Sequence, residues 1–448
     1  MKWTRGGIAV ALVAAVGLVA APAAGAKTRT LTLRFGPVKL NGYETGTGND
    51  RVRAPRIDGF VTSMYAHLVD AKGRAIPQQR VMLHHVFFTN EGHPGHGDCA
   101  PAGSETFYGT GEEDQKIELP AGYGYRVKRS DRWRLGWMFM NHRHTHDRVY
   151  LQYTVTIDDD PAVTPVTPYW ISVSCAGSKI YSVPGDGAPV YGKSRTWTVP
   201  KSGRIVAGAA HAHGGALKVG AANACGELLA SAARYGQADD PIYNLSPVLH
   251  EPAPRSMSVL TSKTGWAVRR GDRLKVTSTY SGEHPHAAVM GILHLYIAGG
   301  KGRTQRCPLA PADVQEHRLA FLGAPGRTTP PVVTPQLSEL DGNGVARPID
   351  GPLVGPLKTL AGDATVNVRN VAFTPRRLSV PAGATVRWRF GDPIRHDVTL
   401  AGGPRAFASP YLRRGTYRTK LTTPGEYRIF CSLHPVTMSQ TIDVRPPS

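Results

Sequence analysis

The sequence predicts an all-β protein built from sandwiches, and three observations indicate this class. Glycine (50 residues) and proline (36 residues) are abundant among the 448 residues and punctuate the chain with turn signals. Segments such as residues 149–155 alternate between apolar and polar side chains with a period of two, as half-buried strands do. Long stretches with helical periodicity are nearly absent, and residues 223–235 are the best candidate for a helix.

Residues 1–26 have the pattern of a secretory signal peptide. Lys2 and Arg5 precede an apolar run, residues 8–20, that is too short and too rich in alanine for a membrane span. Small residues at 24–26 then provide a cleavage site. We therefore expect the mature chain to be secreted, either into the extracellular space or into the cell envelope.

The chain is strongly basic, with 53 Lys and Arg against 33 Asp and Glu and a formal net charge of +20. The arginines are scattered, and no basic block with interleaved aromatic residues is present. We therefore predict no specific nucleic-acid partner. Electrostatic contact with an anionic cell envelope stays open.

Sulfur and nitrogen donors are concentrated near the C-terminus. Cys431, His434 and Met438 lie within eight residues, and His396 follows a strand-like run at residues 386–390. Two imidazoles and a thiolate in one plane, with a weak axial thioether, form a site that cycles copper between its two oxidation states. These four residues are therefore predicted to bind copper.

The C-terminal region, residues 361–446, resembles the plastocyanin-like cupredoxin family. Besides the four donors, the segments that carry the resemblance are Phe373-Thr374-Pro375, Val380-Pro381-Ala382-Gly383 and Pro424-Gly425-Glu426-Tyr427. The resemblance implies that residues 361–448 form a Greek-key β-sandwich with one type 1 copper. It also implies electron transfer, with a small molecule or a redox protein as the donor.

Five cysteines fit an exported protein. With Cys431 assigned to copper, the other four can pair in three ways. Proximity along the chain favours Cys99 with Cys175 and Cys225 with Cys307.

Residues 324–360 separate the C-terminal region from the rest of the chain. They contain seven prolines, several glycines and no periodic apolar pattern, which predicts a semi-extended linker. The body before it, residues 27–323, is predicted to form two domains, residues 27–198 and 199–323, because each half has its own histidines and its own pair of cysteines.

Two groups of histidines divide the body. His84 and His85 are adjacent in a strand-like run, and neighbouring residues on a regular strand point to opposite faces. Both can bind one ion only if the strand twists or bulges there, or if one ring binds through its other nitrogen. His142, His144 and His146 follow a later apolar run and alternate along the chain.

In the second half, His211 and His213 are spaced to share one strand face, and Met290 offers a thioether. These motifs resemble the copper type II, ascorbate-dependent monooxygenases (the peptidylglycine and dopamine hydroxylases) and the related stress-upregulated nodulin proteins. That resemblance implies two jelly-roll β domains, residues 27–198 and 199–323, each with one copper.

The resemblance also implies the roles of the donors. The first copper would be held by His84, His85 and His142, with His144 or His146 as the alternative third ligand. The second copper would be held by His211, His213 and Met290. The open coordination position of this copper suits O2, so these three residues are the predicted catalytic residues.

Three positions depart from the family pattern. Ala209, Ile292 and His294 stand where the peptide-amidating enzymes have Arg, Asn and Tyr groups that anchor the substrate carboxylate. A peptide substrate is therefore not expected.

Taken together, the sequence predicts an exported multicopper redox protein. A type 1 copper domain is tethered to a monooxygenase-like body with up to two type 2 coppers, which activates O2 for hydroxylation. The alternative is a copper-binding or electron-carrier protein without catalysis. No Ser-His-Asp order, phosphate loop or nucleotide fingerprint is present.

Overall fold

The protein is almost entirely β-structure, which confirms the predicted class. In this computed structural model the described residues are 27–96, 103–175, 178–307, 309–318 and 326–447. The predicted signal peptide and Cys99 lie outside these ranges, so the predicted pairing of Cys99 with Cys175 stays a prediction. The predicted disulfide between Cys225 and Cys307 is confirmed. In the described part of the chain, no helix is both long and apolar enough to span a membrane.

The N-terminal part of the body consists of long antiparallel strands. They are β1 (Thr28–Leu40), β2 (Thr45–Val52), β3 (Gly59–Val69), β4 (Val81–Glu91), β5 (Ser104–Gly111), β6 (Ile117–Glu118), β7 (Tyr123–Val127), β8 (Arg132–Asn141), β9 (Asp147–Asp158) and β10 (Thr164–Ser172). Strands β2, β8, β4 and β5 form one sheet in that order. Its inner face packs aromatic rings such as Phe88, Phe107 and Trp133 into the core.

The second part of the body continues with shorter strands and one 3-10 turn, Pro241–Asn244. The strands are β11 (Tyr181–Val183), β12 (Ala188–Thr198), β13 (Gly203–Ala212), β14 (Ala216–Asn223), β15 (Gly226–Arg234), β16 (Ser256–Met257), β17 (Val259–Val268), β18 (Arg273–Gly282), β19 (His286–Val289), β20 (Gly291–Gly299) and β21 (Gln315–His317). The predicted helix at residues 223–235 is wrong, because β15 pairs antiparallel with β14 there. Its side chains alternate in burial with a period of two.

One large sheet joins the two parts of the body. Its order is β1-β9-β3-β7-β10-β20-β13-β17-β21, with β6 alongside β3. The junction is the antiparallel pair β10 and β20, in register from Val166 with Ala298 to Ser172 with Ile292. Strand β12 likewise pairs with β18, in a second sheet of order β12-β18-β14-β15-β16. Both sheets therefore combine strands from before and after residue 198.

The segment after the body is a packed strap (residues 326–356) that contains the hairpin β22 (Ser338–Leu340) and β23 (Ala346–Pro348). Leu337 and Leu353 are buried against the C-terminal domain. Ala346 is buried on the body side, where its backbone N–H donates to the Tyr43 hydroxyl at 3.0 Å. The expectation of a semi-extended linker is therefore wrong for this strap, whose few apolar residues are spaced to reach two surfaces.

The C-terminal domain is a sandwich of two sheets. Its strands are β24 (Leu357–Thr359), β25 (Ala364–Arg369), β26 (Ala372–Thr374), β27 (Arg377–Pro381), β28 (Thr385–His396), β29 (Thr399–Gly402), β30 (Leu412–Lys420), β31 (Gly425–Phe430) and β32 (Ser439–Arg445). One sheet has the order β24-β27-β32-β31-β29 and the other β26-β25-β28-β30. Trp388, Phe407 and Tyr427 fill the space between them.

Candidate metal centres

The C-terminal donors predicted from the sequence meet at one end of this sandwich. His396 is the last residue of β28, where the register with β30 shifts after Gly391. Cys431 and His434 lie in the donor loop (residues 431–438), which connects β31 to β32. The Cys431 Sγ is 3.9 Å from His396 Nδ1 and 3.5 Å from His434 Nδ1. Such a set of two imidazoles and a thiol fits a soft or borderline metal ion, copper included.

The donor loop is closed by its own backbone. The Cys431 N–H donates to the Met438 carbonyl at 3.0 Å, and the Met438 N–H donates to the His434 carbonyl at 3.1 Å. Met438 is buried in the same apolar cluster as Cys431. The loop geometry therefore places the Met438 backbone next to Cys431, and its role as an axial ligand stays a prediction.

Two aspartates orient these donors. The Asp392 carboxylate lies 3.1 Å from His396 Nε2, which leaves Nδ1 facing the thiol. The Asp397 N–H donates to Cys431 Sγ at 3.4 Å, and the Asp397 carboxylate accepts two hydrogen bonds of 2.7 Å from Ser432. Carboxylates that hold metal-binding side chains in place are a regular feature of metal sites.

The electrostatics of the site favour neutral donors in the absence of a cation. Burial raises the pKa of the Cys431 thiol well above its usual value, and the neighbouring Asp397 adds to this effect. Burial and the adjacent His396 lower the pKa of His434 to about 4. A bound cation would reverse the first of these preferences, because coordination deprotonates a thiol.

The first pair of body histidines lies at a β-bulge. The register between β4 and β8 shifts between Leu83 and His85, so the bulge required for both rings to face one point is present. The Nδ1 atoms of His84 and His85 are 2.9 Å apart. This bulge meets one of the conditions under which both rings could bind one ion, and the ligand assignment itself stays a prediction.

The second pair lies next to the first. The ring centroids of His84 and His213 are 4.9 Å apart, those of His211 and His213 are 5.1 Å apart, and those of His85 and His211 are 6.1 Å apart. Strand β13 lies in the large sheet, and β4 and β5 lie in the neighbouring four-stranded sheet. The end of β13 packs against the end of β5, which brings the two pairs together. The resemblance implied one separate copper site in each domain, whereas the structure gathers both pairs into one cluster.

The remaining predicted body ligands lie at its margin. Both ring nitrogens of His142 are buried without a hydrogen-bond partner, and burial together with His250 lowers the pKa of His142 to about 3. His144 and His146 are exposed, so burial favours His142 among the three alternatives. Met290 lines the cavity described below, and its carbonyl accepts a hydrogen bond of 2.5 Å from the Tyr280 hydroxyl.

Sequence reasoning missed three residues of this centre. His250 completes what we call the histidine cluster (His84, His85, His211, His213 and His250), with its ring centroid 4.6 Å from that of His84. Two carboxylates come from the turn after β5. Glu113 accepts from His211 Nδ1 at 3.0 and 3.1 Å, and Glu112 accepts from His250 Nε2 at 3.1 Å. The one available signal was the acidic run at residues 112–114 between apolar strands.

The cluster has the properties of a metal site without requiring any rearrangement. The Nε2 atoms of His211 and His213 are buried and have no hydrogen-bond partner. Burial lowers the pKa of His84 and of His213 well below the usual value, and that of His85 to about 3. Neutral imidazole is the form that binds transition metals. These donors therefore fit copper, and unpartnered buried nitrogens need such a partner.

The histidine cluster and the donor loop face each other across one cavity of about 240 Å³. His84, His85, His213 and His250 line it from the body, and Asp397, Tyr411 and Ser432 line it from the C-terminal domain. The Thr45 hydroxyl donates to the Ser432 carbonyl at 3.0 Å. The cavity therefore lies between the histidine cluster and the residues next to His396 and Cys431, while none of the four C-terminal copper donors lines it.

The three positions that depart from the family pattern are buried within the large sheet. Ala209 on β13 is the register partner of His294 on β20. The His294 ring lies at a tilted angle against Trp170 with centroids 3.8 Å apart, and Ile292 is buried opposite His211. None of the three side chains lines the cavity, so they cannot contact a substrate there.

Comparisons with known proteins found one matching family and several similar solved structures. The family described as stress up-regulated Nod 19 (SURNod19) matches residues 182–300, which include β12 to β20. Among solved structures, a purple cupredoxin from Nitrosopumilus maritimus shares 25% identity over 18% of this chain and 99% of its own, with a TM-score of 0.17. A reduced amicyanin mutant shares 25% identity over 19% of this chain and 83% of its own, also with a TM-score of 0.17. The comparison with curated proteins found no match.

Proposed function

We propose that this chain is a copper-binding electron-transfer protein in which the C-terminal domain delivers electrons to a second copper centre at the histidine cluster. The observation that carries the proposal is that one cavity is lined both by four histidines of the cluster and by Asp397 and Ser432, which adjoin His396 and Cys431 in the chain. Copper held by two imidazoles and a thiolate supplies one-electron transfer. Copper held by imidazoles and a thioether supplies an open position for O2.

The contacts between the domains fix the distance over which electrons move. Val436, in the donor loop, packs against Met82 and Met140 of the body. Met82 lies two residues before His84 on β4, so the same strand connects the contact to the cluster. The hydrogen bond from Thr45 to Ser432, the residue after Cys431, provides a second connection. Docking is therefore built into the fold, and the strap raises the effective concentration of one centre near the other.

For the acceptor reaction we propose O2 activation at His211, His213 and Met290, leading to hydroxylation of a small substrate. The Met290, Met140 and Leu249 side chains give part of the cavity an apolar lining, which suits O2 and small organic molecules. The competing function is a carrier without catalysis. It is favoured by the burial of Ala209, Ile292 and His294, which leaves the family's substrate anchors without counterparts.

We also propose that the protein works outside the cytosol. The disulfide between Cys225 and Cys307 supports this, because such bonds persist in oxidising compartments. An external small molecule or redox protein would then supply the electrons, and the positive charge would favour contact with an anionic envelope. Cell fractionation tests the location, and a purely cytosolic protein would contradict it.

The decisive experiment follows electrons through Cys431. Copper-loaded wild-type protein should show an intense thiolate-to-copper absorption band, and Cys431→Ser should lose this band together with one copper ion per chain. Reductant-driven O2 consumption should fall to background in Cys431→Ser and in Met290→Ala, whereas His317→Ala, at an exposed position, should match the wild type. Equal O2 consumption by wild type and Met290→Ala would leave only the carrier function.

A further inference from the structure

We propose that His84, His250 and Glu112 hold a divalent transition-metal ion of their own, next to the His211–His213 pair, so that the body centre binds two ions. Neither the sequence motifs nor the family resemblance pointed to Glu112 or His250. The inference rests on the proposed function for the redox role of the body centre, whereas the metal site itself stands on the geometry that follows.

The three donors come from three separate elements and converge. His84 lies at the bulge of β4, Glu112 in the turn after β5, and His250 in the loop after the 3-10 turn. One donor atom from each lies within 4.8 Å of the other two. Two imidazoles and one carboxylate, with the remaining positions open, form a ligand set used for Zn(II) and for non-haem Fe(II), and imidazoles also suit Cu(II).

The buried carboxylate needs a positive partner. The Glu112 side chain is 2% exposed, and its Oε2 accepts from the Ala253 N–H at 3.0 Å. Its Oε1 faces His250 Nε2 at 3.1 Å. Burying a carboxylate is costly unless it is paired or coordinates a metal; here His250 pairs with it, and a divalent cation between Glu112, His84 and His250 would replace that pairing.

The loop that carries His250 is held in place from outside the body. The Gln336 N–H, in the strap, donates to the Val248 carbonyl at 2.7 Å, and the Gln336 side-chain oxygen accepts from the Val248 N–H at 3.1 Å. Leu249 is buried in the cluster that also contains Val436 of the donor loop. The position of His250 is therefore fixed by the same contacts that dock the C-terminal domain.

The second ion has separate donors. The unpartnered Nε2 atoms of His211 and His213 lie outside the group formed by His84, Glu112 and His250. Glu113 occupies His211 Nδ1, which leaves only Nε2 free to coordinate. Five imidazoles and one carboxylate exceed the four positions of a tetrahedral or tetragonal site. Two ions at neighbouring positions use all of them, and pairs of ions can bind one small ligand between them.

The test uses the full-length protein with Cys431→Ser, which removes the C-terminal site from the count. This protein, stripped of metal and titrated with Cu(II), should bind two ions, measured by elemental analysis and by paramagnetic resonance. Adding Glu112→Gln or His250→Ala should reduce the count to one, and adding His211→Ala to either should reduce it to none. His317→Ala is the matched control on an exposed histidine. Unchanged counts and spectra in both Glu112→Gln and His250→Ala would overturn the proposal.

Two further results separate this proposal from its alternatives. If a variant unfolds, anomalous diffraction at the copper edge from wild-type crystals decides, because the proposal requires a peak within bonding distance of Glu112. Absence of that peak would overturn it. A wild-type protein that lacks the thiolate-to-copper band but binds two ions in the body would refute the electron-transfer function while supporting this site.

Discussion

Replacing Gly111 by alanine should disturb the histidine cluster directly, because this glycine lies between its two pairs. A Cβ at this position would be 2.6 Å from the His84 carbonyl oxygen, 2.7 Å from His211 Cε1 and 2.9 Å from Glu113 Oε2. Ordinary contacts begin near 3.4 Å, so the His84 carbonyl is too close by 0.8 Å and the His211 ring by 0.7 Å. The backbone carbonyl belongs to a paired strand, so the His211 ring and Glu113 must move.

The size of the effect follows from that displacement. Overpacking of this kind costs about 1–3 kcal/mol of folding free energy. Metal–ligand distances tolerate only about 0.2 Å, so a His211 shift of 0.7 Å should weaken binding at the body centre. Loss of a ligand-orienting contact, here the one between His211 and Glu113, typically lowers metal affinity by about 10- to 100-fold.

Urea unfolding and copper titration of the Gly111→Ala protein measure both effects. Gly300→Ala is the control, because a Cβ there meets no atom within 4 Å and should change stability by less than about 0.5 kcal/mol. The thiolate-to-copper band of the C-terminal domain should be unchanged in both variants. If Gly111→Ala matched the control in stability and in copper affinity, the tight packing described around His211 would be refuted.

Three other changes have expected outcomes. Burial lowers the pKa of His294 from 6.5 to about 3, so the folded state binds fewer protons than the unfolded state between these values and stability falls as pH decreases. Urea unfolding of His294→Phe at several pH values should show a slope reduced by up to about 1.4 kcal/mol per pH unit, and an unchanged slope would contradict the burial argument. The double variant Cys225→Ala with Cys307→Ala opens a loop of 82 residues and should lose about 4 kcal/mol of stability, measured by denaturant titration against oxidised wild type; equal stability would argue against the disulfide. Gln336→Ala removes one hydrogen bond to Val248, so stability should fall by about 1 kcal/mol. The copper affinity of the body should fall as well, while the thiolate-to-copper band should stay unchanged. Weakening of that band instead would place the effect in the C-terminal domain.

The C-terminal site could be predicted from the sequence because its contacts are local. Cys431, His434 and Met438 occupy one short loop between two paired strands, so their spacing alone limits where they can point. His396 was predictable because it follows the strand-like run at residues 386–390. A twist or bulge at His84 was one of the conditions under which two adjacent imidazoles could bind one ion, and the bulge is present.

Glu112 and His250 could not be predicted in the same way. They are 138 positions apart and belong to no spaced motif. Their contact depends on the shared sheet, which brings the turn after β5 against the second part of the body. That sheet also brings the two histidine pairs into one cluster. The sequence pattern within each half does not indicate how the two halves are placed relative to each other, so this cluster could not be predicted.

Local preference misled the prediction at residues 223–235. The segment is rich in alanine, leucine and glutamate, which favour helices. Pairing with β14 and burial of alternate side chains, such as Leu229 and Ala233, outweigh that weak preference. The packing of the strap could not be predicted for a related reason. Leu337, Ala346 and Leu353 pack against different surfaces, so the spacing of these apolar residues shows no regular period.

The pairing of β10 with β20 and of β12 with β18 has a practical consequence for anyone who wishes to study the halves of the body alone. A fragment that ended at residue 198 would retain two long strands while losing the neighbours that cover their edges. Open edges of this kind recruit other chains, so such fragments should precipitate during expression. Insolubility of a truncated body would reflect shared strands rather than failed metal loading, and soluble preparations should retain residues 27–318 together.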